Sequence, residues 1–522
     1  MATSPQRAYR AACPNCGAAV EFVSAASASA ICSFCRSTLL RDGDTLRRIG
    51  VVAELFDDHS PLQLGAAGQL QGLAFTLVGR LQYGYEGGVW NEWHALFDNQ
   101  RSGWLSEDNG AYVFAFDTPL AEAPPLEAFS AGQRAMIGGQ AWDVASVVRA
   151  KLVSAQGELP SPPKLDGDFG VVDLRNTQGE VGTLDYSNAQ RPAWAIGRSV
   201  ALSELGFSGL RDVAEKTLAS RSIECPSCGA ALEPKLATTQ TLTCGYCKAV
   251  VDISQGAGAE LAHYAQNNSG AGGLEPQIAL GRTGTLALGG APQPWQAVGY
   301  QERCDVPAGG EDSEQTFWRE YLLYNQTQGF AFLVDAEDGW SWVKPITGVP
   351  TVRGGRADWQ GASYRRKEGY AAKVTWVQGE FYWRVRREER ALVTDYVGLG
   401  TAAKKRLSRE QTGNEVTWSA GEVLDAADVA AAFGLPAPAA IRRDVLPGSS
   451  GGAPLKAVLI FVAIVVVVLL FARCDGDDCS EVRAAFGEAS TEYQQCRRSG
   501  SSGTRTGGGS YGGWSSGGGG HK

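Results

Sequence analysis

Short apolar runs rich in aromatic and β-branched residues recur along most of this chain, and charged or glycine-containing turns end the runs. Stretches 75–78, 89–97, 111–116 and 141–150 show the pattern, as do 321–324, 330–335, 339–343, 372–377 and 380–385. Turn signals separate them at Asp98-Asn99, Asp108-Asn109-Gly110, Asp338-Gly339 and Gln378-Gly379. Many short runs of this composition, separated by regular turn signals, predict antiparallel strands in a barrel or a sandwich. Gln378-Gly379 lies between two aromatic runs and reads as a hairpin turn. Helices are few: 203–205, 211–219 and 425–433 near the ends of the two sets of strands, and 481–495, where Val482, Phe486, Ala489 and Tyr493 form one stripe.

One stretch breaks this pattern. Residues 457–472 are 16 uncharged apolar residues between Lys456 and Arg473. A bilayer core asks for about 20 residues with a lower limit near 17, and the two flanking cations extend the reach by snorkelling. No polar face interrupts the run, so 456–473 reads as one transmembrane helix. Arg442, Arg443 and Lys456 precede it, while Asp475, Asp477 and Asp478 follow. The positive-inside rule then puts the N-terminal body in the cytoplasm of a bacterial inner membrane and the tail outside. There Cys474, Cys479 and Cys496 are free to oxidise, with one thiol left over. The end of the tail is Gly/Ser-rich and cannot bury a core.

The strand-rich body is written twice. Leu64 to Leu70 resembles Leu280 to Leu286, Val78-Gly79-Arg80 resembles Val298-Gly299-Tyr300, and Val89-Trp90-Asn91-Glu92-Trp93 resembles Phe317-Trp318-Arg319-Glu320-Tyr321. Gly103-Trp104-Leu105 corresponds loosely to Gly329-Phe330. Ahead of each copy stands a cysteine quartet: Cys13, Cys16, Cys32 and Cys35, then Cys225, Cys228, Cys244 and Cys247. The quartets lie 212 residues apart, and each holds two C-x-x-C knuckles separated by 15 residues. That spacing is read as a four-thiolate zinc site, closed and structural. Disulfides, free buried thiols or a rubredoxin-like iron centre are the other readings. Gly17 and Gly229, after the second cysteine of each first knuckle, suit a positive φ in the turn.

The fold class is therefore mainly β: two zinc ribbons and two antiparallel barrel- or sandwich-like domains in tandem, plus the C-terminal transmembrane helix. The boundaries are ribbon 1 at 1–45, β domain 1 at 46–205, ribbon 2 at 221–255, β domain 2 at 275–435, a linker at 436–455, the span at 456–473 and the tail at 474–522. Eight of the 12 cysteines sit in the quartets, which fits a reducing compartment. The chain of 522 residues carries a net charge of −9, and Arg36 and Lys248 are nearly alone as basic residues near the knuckles. A nucleic-acid binder needs a larger cationic footprint, so nucleic acid is the weaker partner class.

The strand Trp90-Asn91-Glu92-Trp93-His94, followed by Asp98, Arg101 and Gly103-Trp104-Leu105-Ser106-Glu107, resembles the bacterial domain-of-unknown-function family 4178. Phe317 to Asn325, followed by Gly329-Phe330 and Leu333-Val334, resembles a second member. The resemblance covers about 50–200 and 275–435. It implies no established activity, an N-terminal zinc ribbon, and an association with polyamine synthesis and membrane stress.

Glu92 and His94 are two apart on a strand and face one way, with Asp98 near, so they are the acid/base candidates. Leu322 replaces His94 in the second copy, which favours packing aromatics and a Glu paired with an Arg101-like or Arg319-like neighbour. Gly448-Ser449-Ser450-Gly451-Gly452 spells a nucleophile elbow but no strand precedes it. No catalytic residue is assigned. The expected function is a membrane-anchored, non-catalytic zinc-binding scaffold or adaptor with protein partners and two structural zinc ions. The alternatives are a nucleic-acid-associated zinc-ribbon protein, or an enzyme using Glu92 and His94.

Overall fold

The computed structural model describes residues 9–435 apart from 23–26, 43–44, 53–59, 87, 109–110, 212–222, 237–238, 254–262, 265, 267–275, 307–314, 326–327 and 386–388. The helices expected at 211–219 and 481–495 fall wholly or almost wholly outside these residues, and so does the apolar run 457–472. No helix among the described residues is long and apolar enough to cross a membrane.

Two closed antiparallel barrels of eight strands account for both halves, which settles barrel against sandwich. The first is built from β1 (Leu73–Tyr85), β2 (Gly88–Phe97), β3 (Ser102–Asp108), β4 (Ala111–Asp117), β5 (Gln140–Leu159), β6 (Phe169–Arg175), β7 (Glu180–Asp185) and β8 (Ala193–Val200). Its strands pair in the order β1-β2-β3-β4-β8-β7-β6-β5, and β5 returns to β1. The second uses β9 (Gln293–Asp305), β10 (Phe317–Asn325), β11 (Gly329–Ala336), β12 (Gly339–Ile346), β13 (Ala362–Phe381), β14 (Arg390–Gly398), β15 (Lys405–Thr412) and β16 (Glu415–Leu424). It closes in the same order, from β9 through β12, β16 and β14 to β13 and back. Closure leaves neither sheet with an open edge.

The registers match residue for residue. Tyr83 pairs with Trp90 and Leu81 with Glu92 in one barrel, as Arg303 pairs with Trp318 and Gln301 with Glu320 in the other. Trp90 and Trp318 are thus equivalent and both buried. One sequence correspondence slips by two residues. Trp104 stands opposite His94 and Phe332 opposite Leu322, so Gly103-Trp104-Leu105 matches Ala331-Phe332-Leu333 rather than Gly329-Phe330.

The hairpin expected at Gln378-Gly379 is absent. The stretches 372–377 and 380–385 are not two strands, because 362–381 is one continuous strand. Gly379 lies within it at φ +85, where a Cβ would come 2.4 Å from Val298 O. Gly157 does the same in β5 against Val78 O, at 2.2 Å. The glycine marks a close approach of two strands at a bend, which a period-two pattern cannot distinguish from a turn. The helix Ala426–Phe433 follows its sequence signals. Asp425 caps it by accepting from Ala427 N at 3.1 Å, and Gly434 ends it in the left-handed region.

The ends of the barrels meet. Val147 N donates to Asn414 O at 3.1 Å, and Ser146 pairs with Glu415. The Glu415 carboxylate lies close enough to act on Arg175 and Tyr85 of the first barrel and on Tyr382 of the second.

Candidate functional site

Each quartet closes into one four-sulfur group whose Sγ atoms all lie within 4.8 Å of one another. In the first, Cys13 and Cys35 are 3.6 Å apart and Cys16 and Cys32 3.7 Å. The second gives 3.7 Å for Cys225 to Cys247 and 3.8 Å for Cys228 to Cys244. A tetrahedral ion with metal–sulfur bonds of about 2.3 Å requires sulfur–sulfur edges of about 3.8 Å. The donor set therefore fits one such ion per quartet.

The knuckle turns explain this geometry. Gly17 N returns to Cys13 O and Gly229 N to Cys225 O, both at 2.8 Å, with φ of +77 and +75. The second knuckle of each pair achieves the same turn without glycine, through Arg36 at φ 58 and Lys248 at φ 62. Donors are aimed at the sulfurs. The Ser37 hydroxyl, then Asn15 and the Ser37 N–H, lower Cys35 to about 5. The Ala249 N–H lowers Cys247 to about 6. Cys16 receives the Ala18 N–H, yet burial and the sulfurs of Cys35, Cys32 and Cys13 push it up to about 12. Four thiolates this close would repel one another, and a cation among them would offset that repulsion.

Each ribbon is joined to the long strand of its own barrel. Strand Ser29–Ile31 pairs with β5 through Ala30 and Glu158, and strand Thr241–Thr243 pairs with β13 through Thr241 and Phe381. The Glu380 carboxylate accepts from Lys235 N at 2.9 Å, Leu236 N at 2.9 Å and Thr239 Oγ1 at 2.7 Å. Thr241 Oγ1 donates to Trp383 O at 2.9 Å. Gln266 acts as a substitute strand: its Nε2 donates to Val377 O and its Oε1 accepts from Val377 N.

Glu92 and His94 do share one face, but structural bonds occupy both. His94 is buried, with Nδ1 2.9 Å from Glu158 O and Nε2 2.9 Å from Ser102 Oγ. Burial lowers its pKa, opposed by the hydrogen bond to the Glu158 carbonyl. Trp90 Nε1 donates to Glu92 Oε1 at 3.3 Å, and Trp318 Nε1 to Glu320 Oε1 at 2.7 Å. Glu320 pairs with Arg303, while Arg319 pairs with Asp335 instead.

These glutamates belong to a buried polar interior that sequence patterning missed. In the second barrel Arg303 on β9 reaches Glu410 on β15 with two bonds of 3.0 and 3.1 Å, and Glu320 at 3.4 Å. Strands β13 and β14 lie between β9 and β15, so the contact crosses the inside of the barrel. Tyr370 OH donates to Asp395 at 2.9 Å. The first barrel keeps the carboxylates at matching registers. Asp173 stands opposite Thr183 as Asp395 stands opposite Ser408, which places Asp185 at the Glu410 position. Burial first, then Glu92 and Asp185, raises the Tyr83 hydroxyl well above its ordinary range. Tyr83 therefore faces the same acidic pair as Arg303.

The sequence profile of the family described as domain of unknown function DUF4178 matches residues 63–202 and again 290–426, together more than half of the chain. The chain belongs to the DUF4178 family. No curated protein and no solved structure matches it. The two DUF4178 domains thus share a barrel, an inward Trp-Glu pair and two further inward carboxylates, but exchange Tyr83 for Arg303 and His94 for Leu322. The ribbons and the apolar run lie outside both matched regions.

The interior of the second DUF4178 domain makes its stability depend on pH. Burial raises Asp395 to about 7, against the nearby Ser408 hydroxyl and the hydrogen bond from Tyr370. Burial also raises Glu410 to about 7, opposed by Arg303 and aided by the charges of Glu320 and Asp395. These groups hold protons in the folded state that the unfolded chain has released, so their stabilisation is full below about pH 4 and lost as pH rises to about 7. Urea unfolding followed at pH 5 and pH 8 should show a lower midpoint at pH 8. Asp395→Asn should flatten the difference, and an unchanged slope would refute the assignment.

Proposed function

We propose that this chain is a membrane-anchored, non-catalytic scaffold in which two zinc ions stiffen two paired ribbon-and-barrel units for contact with protein partners. One observation carries the reading: each four-sulfur group is locked to the bent long strand of its own barrel, so metal binding fixes a surface rather than exposing a reactive ion. Four sulfurs fill a tetrahedral shell and leave no open position for substrate. The bonds that hold His94 and Glu92 support the absence of acid/base work. Zinc is the ion of this reading because it needs no redox partner and accepts four thiolates.

Residues 456–473 supply the anchor, with the barrels on the cytoplasmic side of a bacterial inner membrane and the tail outside. A carbonate wash should leave the full chain in the membrane pellet and release a chain lacking 456–473. A reporter fused after Lys522 should be active only outside the cytoplasm. Activity confined to the inside would reverse the orientation, and a full chain released by carbonate would remove the anchor.

A further inference from the structure

The two most exposed large hydrophobic side chains among the described residues are Phe34, at 78%, and Tyr246, at 84%. They occupy one equivalent position, between the last two cysteines of each quartet. Neither ring joins the apolar cluster of its own ribbon. Two positions on, each ribbon places a basic residue in the left-handed region, Arg36 at φ 58 and Lys248 at φ 62. Glycine takes this conformation more easily and does so in the other knuckle of each ribbon, at Gly17 and Gly229. Both copies thus keep a basic side chain at a backbone position where glycine is favoured, beside an aromatic that supports no core. They do so although the barrel interiors have diverged at the positions of Tyr83 and His94.

We propose that Phe34 with Arg36, and Tyr246 with Lys248, are interfacial anchors that lay the body of the chain against an anionic lipid surface. The inference rests on the reading that 456–473 crosses the membrane. An aromatic ring settles at the level of the headgroups, and a neighbouring cation meets anionic lipid there. Lys248 Nζ donates to Gly245 O at 2.9 Å, which fixes the ammonium on the knuckle and leaves further N–H donors for phosphate. The knuckle turn fixes the backbone that carries ring and cation, so little backbone freedom is lost on contact. Twenty-one residue steps separate Leu435 from Lys456, a fully extended reach of about 70 Å. The tips are thereby held at high effective concentration beside the bilayer, and a weak contact suffices. Single-stranded nucleic acid would also stack on the rings, but it requires a cationic track along successive phosphates. Each tip supplies one base, which makes no such track.

The test uses the full chain reconstituted into vesicles of phosphatidylcholine and phosphatidylglycerol that contain a photoreactive lipid, with labelled peptides identified by mass spectrometry. Peptides carrying Phe34 and Tyr246 should be labelled along with the segment 457–472. Phe34→Ser and Tyr246→Ser should each lower labelling of their own tip about fivefold, as for loss of one interfacial ring, with metal content unchanged. Labelling of 457–472 without labelling of the tips overturns the inference and leaves the anchor standing. If neither is labelled, the anchor fails and the inference with it. Protection of the tips by oligothymidylate, with no labelling in vesicles, reassigns them to nucleic acid and also overturns the proposal.

Discussion

If each quartet holds one zinc ion, as proposed, replacing Cys244 by serine should lower the zinc content from two ions per chain to one and loosen the second ribbon together with the end of β13. Cys244 is buried, and its sulfur lies 3.8 Å from that of Cys228. Structural zinc in small domains contributes about 10–16 kcal/mol of apparent binding free energy at neutral pH, more than a ribbon of this size gains from its own core. The ribbon cluster is small: Leu232, Leu242, Val251 and Ile253 pack around the cysteines. Without the ion, strand Thr241–Thr243 loses its frame. The Glu380 bonds to Lys235, Leu236 and Thr239 then lose the loop that presents those donors. Elemental analysis should read one zinc per chain, and hydrogen exchange should rise across 376–385 while the first ribbon stays protected. Two ions retained by the variant, or a ribbon that keeps its protection after chelation, would end the structural-zinc reading.

Arg303→Met should destabilise the second barrel by about 3–5 kcal/mol, the range for removing one partner of a buried ion pair. Arg303 is fully buried, and its guanidinium is shared by Glu410 and Glu320. Burial opposes its charge, and the two carboxylates outweigh burial. Without the arginine the two carboxylates lose the cation they share, and Glu410 takes up a proton more readily. Adding Glu410→Gln to Arg303→Met should recover part of the loss at alkaline pH, where it removes a carboxyl that must otherwise ionise without a partner or hold its proton at a cost. Denaturant midpoints of the single and double variants measure this. A single variant within about 1 kcal/mol of the parent would mean that water already solvates the pair. The first barrel shows that the fold does not require the arginine, since Tyr83 holds the same register against Glu92 and Asp185.

Several features are legible in the amino-acid sequence because they depend on short-range rules. Four thiolates at C-x-x-C spacing form one metal group through local turns. Strands announce themselves by aromatic and aliphatic runs bounded by turn residues, as at Gly88–Phe97 and Phe317–Asn325. The duplication is visible where both copies must keep the same side chains, in the Trp-x-Glu strand. A capped helix such as Ala426–Phe433 carries its own start and stop.

What is not legible there depends on which residues meet across the barrel. Gly157 and Gly379 look like turn residues by composition, and only the approach of Val78 and Val298 shows that they are bends inside continuous strands. Glu410 and Asp395 lie in strands of ordinary alternation, far in sequence from Arg303, so no local signal joins them. His94 reads as a catalytic partner because a strand places it beside Glu92. Its two ring nitrogens are engaged by Glu158 and Ser102, contacts that exist only once β5 and β3 flank β1 and β2. Local spacing and repeated strands encode the two cysteine quartets, the two β halves and their family directly. The tertiary structure alone decided barrel over sandwich, the joining of each ribbon to its long strand and the acidic interior, because closure of the sheet determines which distant side chains share a buried space.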